Sequence, residues 1–189
     1  MYLGMMLMLL AVGASSISAQ DSPTMSGGSK MQMSGKANPD AKFMMMAATG
    51  GMNEIALSQQ ALAKSSNDDV KRYAQMMIDD HTKAGDELKS VAMSKNVTLP
   101  MEADAKHKAA VAKMESLSGM TFDMAYLKMM VKDHEATVAM FQKEANSGKD
   151  ADAKAFASNT LPTIQGHLSE VKAMTGKMST MSNSKMSGM

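Results

Sequence analysis

The chain has 189 residues, 26 of them methionine and none cysteine, and a formal net charge of +1 at pH 7. That length suits one domain with its own core, and the lack of cysteine excludes disulfides, thiolate metal sites and a lipid-anchoring thiol. Lysines are interspersed with acids and aromatics make up only 4% of the chain, so no basic stripe or stacking platform argues for nucleic acid as a partner.

Leu3 to Val12 is a short apolar run, followed by small residues ending in Ile17-Ser18-Ala19. This is the pattern of a secretory signal peptide, residues 1–19, although no Lys or Arg precedes the run. The run is short for a bilayer span and no later segment is a better candidate. The mature protein is therefore expected to be exported, to the periplasm or beyond, with association with the outer membrane left open. Residues 20–38, rich in Ser, Gly and Met without periodicity, read as a flexible leader.

Asn38-Pro39-Asp40 opens the first helix: Asn38 can cap, Pro39 fits the first helical position and Asp40 complements the helix dipole. The helix is expected to run to about Ser65 with a stripe of Phe43, Ala47, Gly50, Glu54, Leu57 and Ala61. Gly50-Gly51 weakens its middle and suggests a close approach or bulge. Ser66-Asn67-Asp68-Asp69 then caps a second helix reaching about Lys95, with Val70, Ala74, Met77, His81, Ala84, Leu88 and Val91 on its stripe.

A shorter helix, roughly Glu102 to Leu117, belongs to a long crossover connection. Ser118-Gly119 precedes a third long helix, to about Asn146, with Leu127, Met130, His134, Thr137, Phe141 and Ala145 facing inward and Phe122 and Tyr126 near its start. The fourth long helix, about Asp150 to Lys177, carries Phe156, Thr160, Thr163, His167, Val171 and Met174, with a kink expected at Pro162. Residues 178–189 return to Ser, Met, Gly and Lys and read as disordered. The expectation is an all-α fold, a four-helix bundle over residues 39–177 with a short extra helix in the crossover.

One pattern is written twice. Tyr73-Ala-Gln-Met-Met-Ile-Asp-Asp80-His81 returns as Tyr126-Leu-Lys-Met-Met-Val-Lys-Asp133-His134, and helical spacing puts each Tyr, second Met and His on one apolar stripe. Glu54, His81, His134 and His167 each fall near the midpoint of a different long helix. Three imidazoles and a carboxylate meeting at one level suit a single divalent or copper ion.

Asp80 and Asp133 lie about 100° around the helix from the histidines they precede, so they are expected to act as outer partners on neighbouring helices, with Glu170 joining from one turn after His167. Glu135 is a weaker candidate and His107 reads as a solvated face residue. A metal-free reading stays open beside this one, in which the His and Glu side chains satisfy each other and Tyr73 and Tyr126 complete a polar layer. Thioethers in the flanking segments raise a second site: Met31, Met33, Met178 and Met181, with Met25, Met186 and Met189, could capture a soft ion.

Together, Asn53-Glu54-Ile55-Ala56-Leu57, Met77-Ile78-Asp79-Asp80-His81, Phe122-Asp123-x-x-Tyr126 with Asp133-His134, and Leu161-Pro162-x-x-x-x-His167-Leu168 resemble an exported bacterial ferritin-like family of unknown function, often labelled outer-membrane proteins. The resemblance spans about Asp40 to Met174 and implies a ferritin-like bundle and an exported location, but no activity. Ile78 and Val131 stand one turn before His81 and His134, where di-iron ferritin-like proteins place glutamates. A di-iron oxidase or iron-storage ferroxidase is therefore disfavoured. The leading expectation is a periplasmic metal-binding or envelope stress protein; the others are a metal-free structural or interaction module and a mononuclear metal oxidoreductase.

Overall fold

A computed structural model describes residues 38–187 as five helices with no strand among them: α1 Pro39–Lys64, α2 Asp68–Ser94, α3 Ala105–Glu115, α4 Gly119–Ser147 and α5 Ala151–Ser187. The expected signal peptide lies outside the described residues, as does the leader apart from Asn38. No described helix is long and apolar enough to cross a membrane.

Local chemistry sets the helix starts. Asn38 accepts the Asp40 N–H and Pro39 occupies the first turn of α1, Asn67 accepts the Asp69 and Val70 N–H groups at α2, and Asp104 accepts the His107 N–H at α3. Each satisfies donors that a helix N-terminus otherwise leaves open. Gly119, at φ +54°, lets the chain turn into α4.

Asp40 does more than complement its own helix. It is buried, and its two carboxylate oxygens accept the N–H groups of Lys149 and Asp150, at 2.9 and 3.0 Å. One side chain at the start of α1 thus fastens the turn between α4 and α5.

The four long helices pack in a closed order, with α1 against α2 and α4, and α5 against α4 and α2. Their apolar residues form two clusters. One contains Leu57, Tyr73, Met77, Phe122, Tyr126, Met130 and Val171; the other contains Phe43, Met44, Leu88, Phe141, Phe156 and Ile164. The order in which each helix visits the clusters fixes its direction: α1 and α5 run one way, α2 and α4 the other. The connection from α2 to α4 must therefore traverse the length of the molecule, and α3 lies along it, packed on α1 and α4.

Several details differ from the sequence expectation. α5 continues through Met178 to Ser187 instead of ending near Lys177. Met178 sits one turn beyond Met174 on the same stripe and is only 8% exposed, so burial extends the helix into a segment whose composition suggests disorder. α5 also runs through Pro162, which is exposed. Ile164 occupies the buried position expected of Thr163. α1 passes unbroken through Gly50 and Gly51, and a Cβ on Gly51 would lie 3.8 Å from His81 Nδ1, in ordinary contact. No close approach demands a glycine there.

Candidate metal centre

The two apolar clusters leave a polar layer between them. Along α1, Glu54 falls between Met44 and Leu57; along α2, His81 falls between Met77 and Leu88; along α4, His134 falls between Met130 and Phe141; along α5, His167 falls between Ile164 and Val171. The regular 3.6-residue period carries each side chain inward at that level.

His81, His134 and His167 each offer a ring nitrogen, and the three atoms lie within 4.8 Å of one another. Ring centroids are 5.8 Å apart for His81 and His134, and 5.6 Å for each of the other two pairs. His134 is fully buried, and the His81 and His167 side chains are 10% and 4% exposed.

The outer nitrogens determine the tautomers. His134 Nδ1 lies 3.0 Å from the Met130 carbonyl; a carbonyl only accepts, so Nδ1 carries the proton and the lone pair sits on Nε2. His167 Nε2 donates to Asp80 Oδ2 at 2.8 Å, leaving the lone pair on Nδ1. His81 turns Nδ1 towards Glu54 Oε2 at 3.3 Å. The remaining nitrogens, His81 Nε2, His134 Nε2 and His167 Nδ1, are buried without a hydrogen-bond partner. Buried polar atoms are rarely left in this way. Imidazoles whose far nitrogen is held by a carboxylate or carbonyl, with the near one free, have the arrangement of metal-ligating histidines, so the residues fit an ion.

Electrostatics agree with a layer that is costly when metal-free. Burial, then His134 and His167, pushes His81 down to about 3, and burial, then His167, pushes His134 down to about 4. Both rings are neutral at physiological pH and available as ligands. Burial, then the nearby Asp133 charge, raises Glu54 to about 8. A cation in the layer would favour its ionised form.

Glu54 does not join the three nitrogens as an equal. Its oxygens stand 3.3 Å from His81 Nδ1 and 3.4 Å from His134 Nδ1, behind the rings, with Oε1 unpartnered. Asp80 reaches from α2 to α5, whereas Asp133 is half-buried and acts on Glu54 through its charge. The Tyr73 hydroxyl donates to the backbone carbonyl of His167, at 3.4 Å. The Tyr126 hydroxyl pairs with that of Ser58 at 2.8 Å. Burial raises both phenols well above their ordinary range.

Glu170 is exposed, because Val171 takes the inward position one turn after His167. Glu135 pairs with Lys172 on the surface at 2.7 Å, and His107 pairs with Asp104 at 2.8 Å. Of the flanking methionines, Met178 is a core residue and Met181 is 65% exposed on α5; Met25, Met31, Met33 and Met189 lie outside the described residues. Sequence reasoning missed Asn53, which is buried with an unpartnered Oδ1 beside Glu54 in the chain; its step of four to Leu57 was the available signal.

A cavity of about 730 Å³ opens beside the layer, with Glu54, His81, Asp80 and His167 in its wall. A second, of about 900 Å³, lies on another side of α1 and also includes Glu54, together with Asn53 and Asp133.

A model of the family described as "Domain of unknown function (DUF4142)" matches residues 25–174. No curated protein sequence matches the chain. Among solved structures, a DUF305 fragment from Deinococcus radiodurans is similar with a TM-score of 0.66 at 14% identity, covering 74% of this chain and 96% of that one. CopM in its Cu(II)-bound form is similar with a TM-score of 0.63 at 16% identity, covering 73% of this chain and 96% of CopM. Its Ag-bound form gives 0.59 at 17% identity with the same coverage. At these identities the likeness shows the fold alone.

Proposed function

We propose that this chain, which belongs to the DUF4142 family, is an exported metal-binding protein built as a ferritin-like four-helix bundle, with His81, His134 and His167 holding one divalent or copper ion. The helix directions and the single long crossover support the ferritin-like reading. The observation that carries the metal reading is three histidines that each offer a ring nitrogen within 4.8 Å of the others and each bury one nitrogen without a hydrogen-bond partner. An ion accepting three lone pairs removes three desolvation penalties at once.

Asp80 and the Met130 carbonyl hold their rings from outside, and Glu54 supplies negative charge behind His81 and His134. Asp133 tunes that charge. CopM, a protein of similar fold crystallised with Cu(II) and with silver, favours copper over iron as cargo, as does the lack of paired bridging glutamates. The role is metal binding for homeostasis or stress protection in the envelope, and the signal-like segment at residues 1–19 supports the location.

The test is the metal content of the mature protein after purification and after refolding with Cu, Zn, Fe or Mn. One ion per chain is expected, abolished in the His81→Ala/His134→Ala variant. Retention of metal by that variant would rule out this site. A raised Glu54 favours a competing reading, in which a proton neutralises the layer and the protein is a metal-free interaction module. A mature chain that takes up none of the four metals would establish that alternative.

A further inference from the structure

Among the described residues, every large apolar side chain that stands exposed is a methionine: Met45, Met46, Met93, Met101, Met120 and Met181. Met46, Met93 and Met101, at 51%, 69% and 96% exposure, line the cavity that includes His81 and His167. Met52 and Met140 line it too, and both are half-buried. The three that stand open to water come from α1, α2 and the connection after α2. Exposure thus falls from the open thioethers, through the half-buried ones, to imidazole side chains that are 10% and 4% exposed.

Packing does not explain the exposed members. A side chain half or more in water gains little from burial, and any long aliphatic residue would cover the same surface. A thioether adds a soft, polarisable sulfur, which binds Cu(I) or Ag(I) and largely ignores harder divalent ions. His81 and His167, each with one buried nitrogen that has no hydrogen-bond partner, stand in the wall of the same cavity.

We infer that Met46, Met93 and Met101 form a thioether entrance that captures a soft monovalent ion, Cu(I), and passes it along the cavity to the histidine layer. The destination rests on the metal reading above; the capture step does not. The transfer exchanges sulfur donors for nitrogen donors on one ion, with no change in its oxidation state.

The experiment compares the full-length mature chain with its Met46→Leu/Met93→Leu/Met101→Leu variant under anaerobic conditions. Leucine keeps the apolar volume and helical preference at these exposed positions while removing sulfur. Cu(I) is presented as its bicinchoninate complex, and its withdrawal is followed by loss of colour. Withdrawal about tenfold slower in the triple variant is expected, whereas a Met45→Leu/Met120→Leu/Met181→Leu control, altered outside this cavity, keeps the wild-type rate.

Co(II), which thioethers bind poorly, reports separately on the imidazoles through its absorption spectrum, and its affinity should be unchanged by either set of leucines. Equal Cu(I) rates in wild type and triple variant would overturn the entrance, as would equal slowing in the control or a parallel loss of Co(II) affinity. Failure of the wild type to bind Co(II) would sink the histidine site instead, and sulfur-dependent Cu(I) withdrawal would survive that result.

Discussion

Asp80 Oδ2 and His167 Nε2 stand 2.8 Å apart across the α2–α5 interface, so an acid on one helix fixes which nitrogen of an imidazole on another carries the proton. The Asp80 side chain is 40% exposed. Its contribution is to the orientation of His167 more than to the core. Asp80→Ala is expected to weaken metal binding about 10–100-fold while leaving the helical content intact. Competition titration against a chromogenic chelator, with circular dichroism alongside, checks both parts.

The metal-free layer should respond to pH in two opposite senses. His81 and His134 titrate near 3 and 4 in the folded chain but near 6.5 when unfolded. As pH falls below about 6.5 the unfolded chain takes up protons that the folded chain refuses, and stability is lost. Glu54 behaves inversely, because its folded value is raised to about 8. From about pH 4.5 upward the unfolded chain has released a proton that the folded chain keeps, so this contribution falls as pH rises through 8. Thermal unfolding with chelator present should show Glu54→Gln gaining stability relative to wild type at pH 8.5 and little at pH 4.5. Saturating metal should reduce the gain, since the ion favours an ionised Glu54.

Asp40 accepts two backbone N–H groups from the turn after α4. Asp40→Ala removes two charge-assisted hydrogen bonds at a part-buried turn and is expected to cost about 2–3 kcal/mol, measurable by denaturant unfolding. The neighbouring Glu144 is raised to about 7 by burial and then by the Asp40 charge. Its stabilising contribution should therefore decline as pH rises from about 4.5 through 7, and Glu144→Gln should remove that decline.

Met178 packs with the cluster containing Tyr73, Tyr126 and Met174. Met178→Ala is expected to destabilise the protein by about 2 kcal/mol, and a chain ending at Lys177 by at least as much. A truncated chain with an unaltered melting temperature would show that the last turns of α5 add nothing.

Much of the architecture was legible because periodicity is a backbone property. The duplicated Tyr-to-His pattern marks the inward faces of α2 and α4, and the helix midpoints of Glu54 and His167 select the same level. Which atoms face each other was not legible. Spacing placed Glu54 among the donors, yet its carboxylate stands on the Nδ1 side of His81 and His134, a consequence of side-chain torsions that sequence does not specify. The contact between Asp40 and Lys149 spans 109 positions and has no local signature. The end of α5 is hidden for a different reason: Ser- and Met-rich composition suggests disorder, while the step of four from Met174 to Met178 continues a buried stripe.

The division of the interior into two apolar clusters bears on how the molecule opens. Each cluster is a modest core, and the layer between them buries polar groups whose desolvation weakens the fold when no ion is bound. An ion gripped by α2, α4 and α5 would tie three of the four long helices together at that weak plane. Occupancy would then add to the stability of the whole bundle, so that the durability of the fold would register the supply of its cargo.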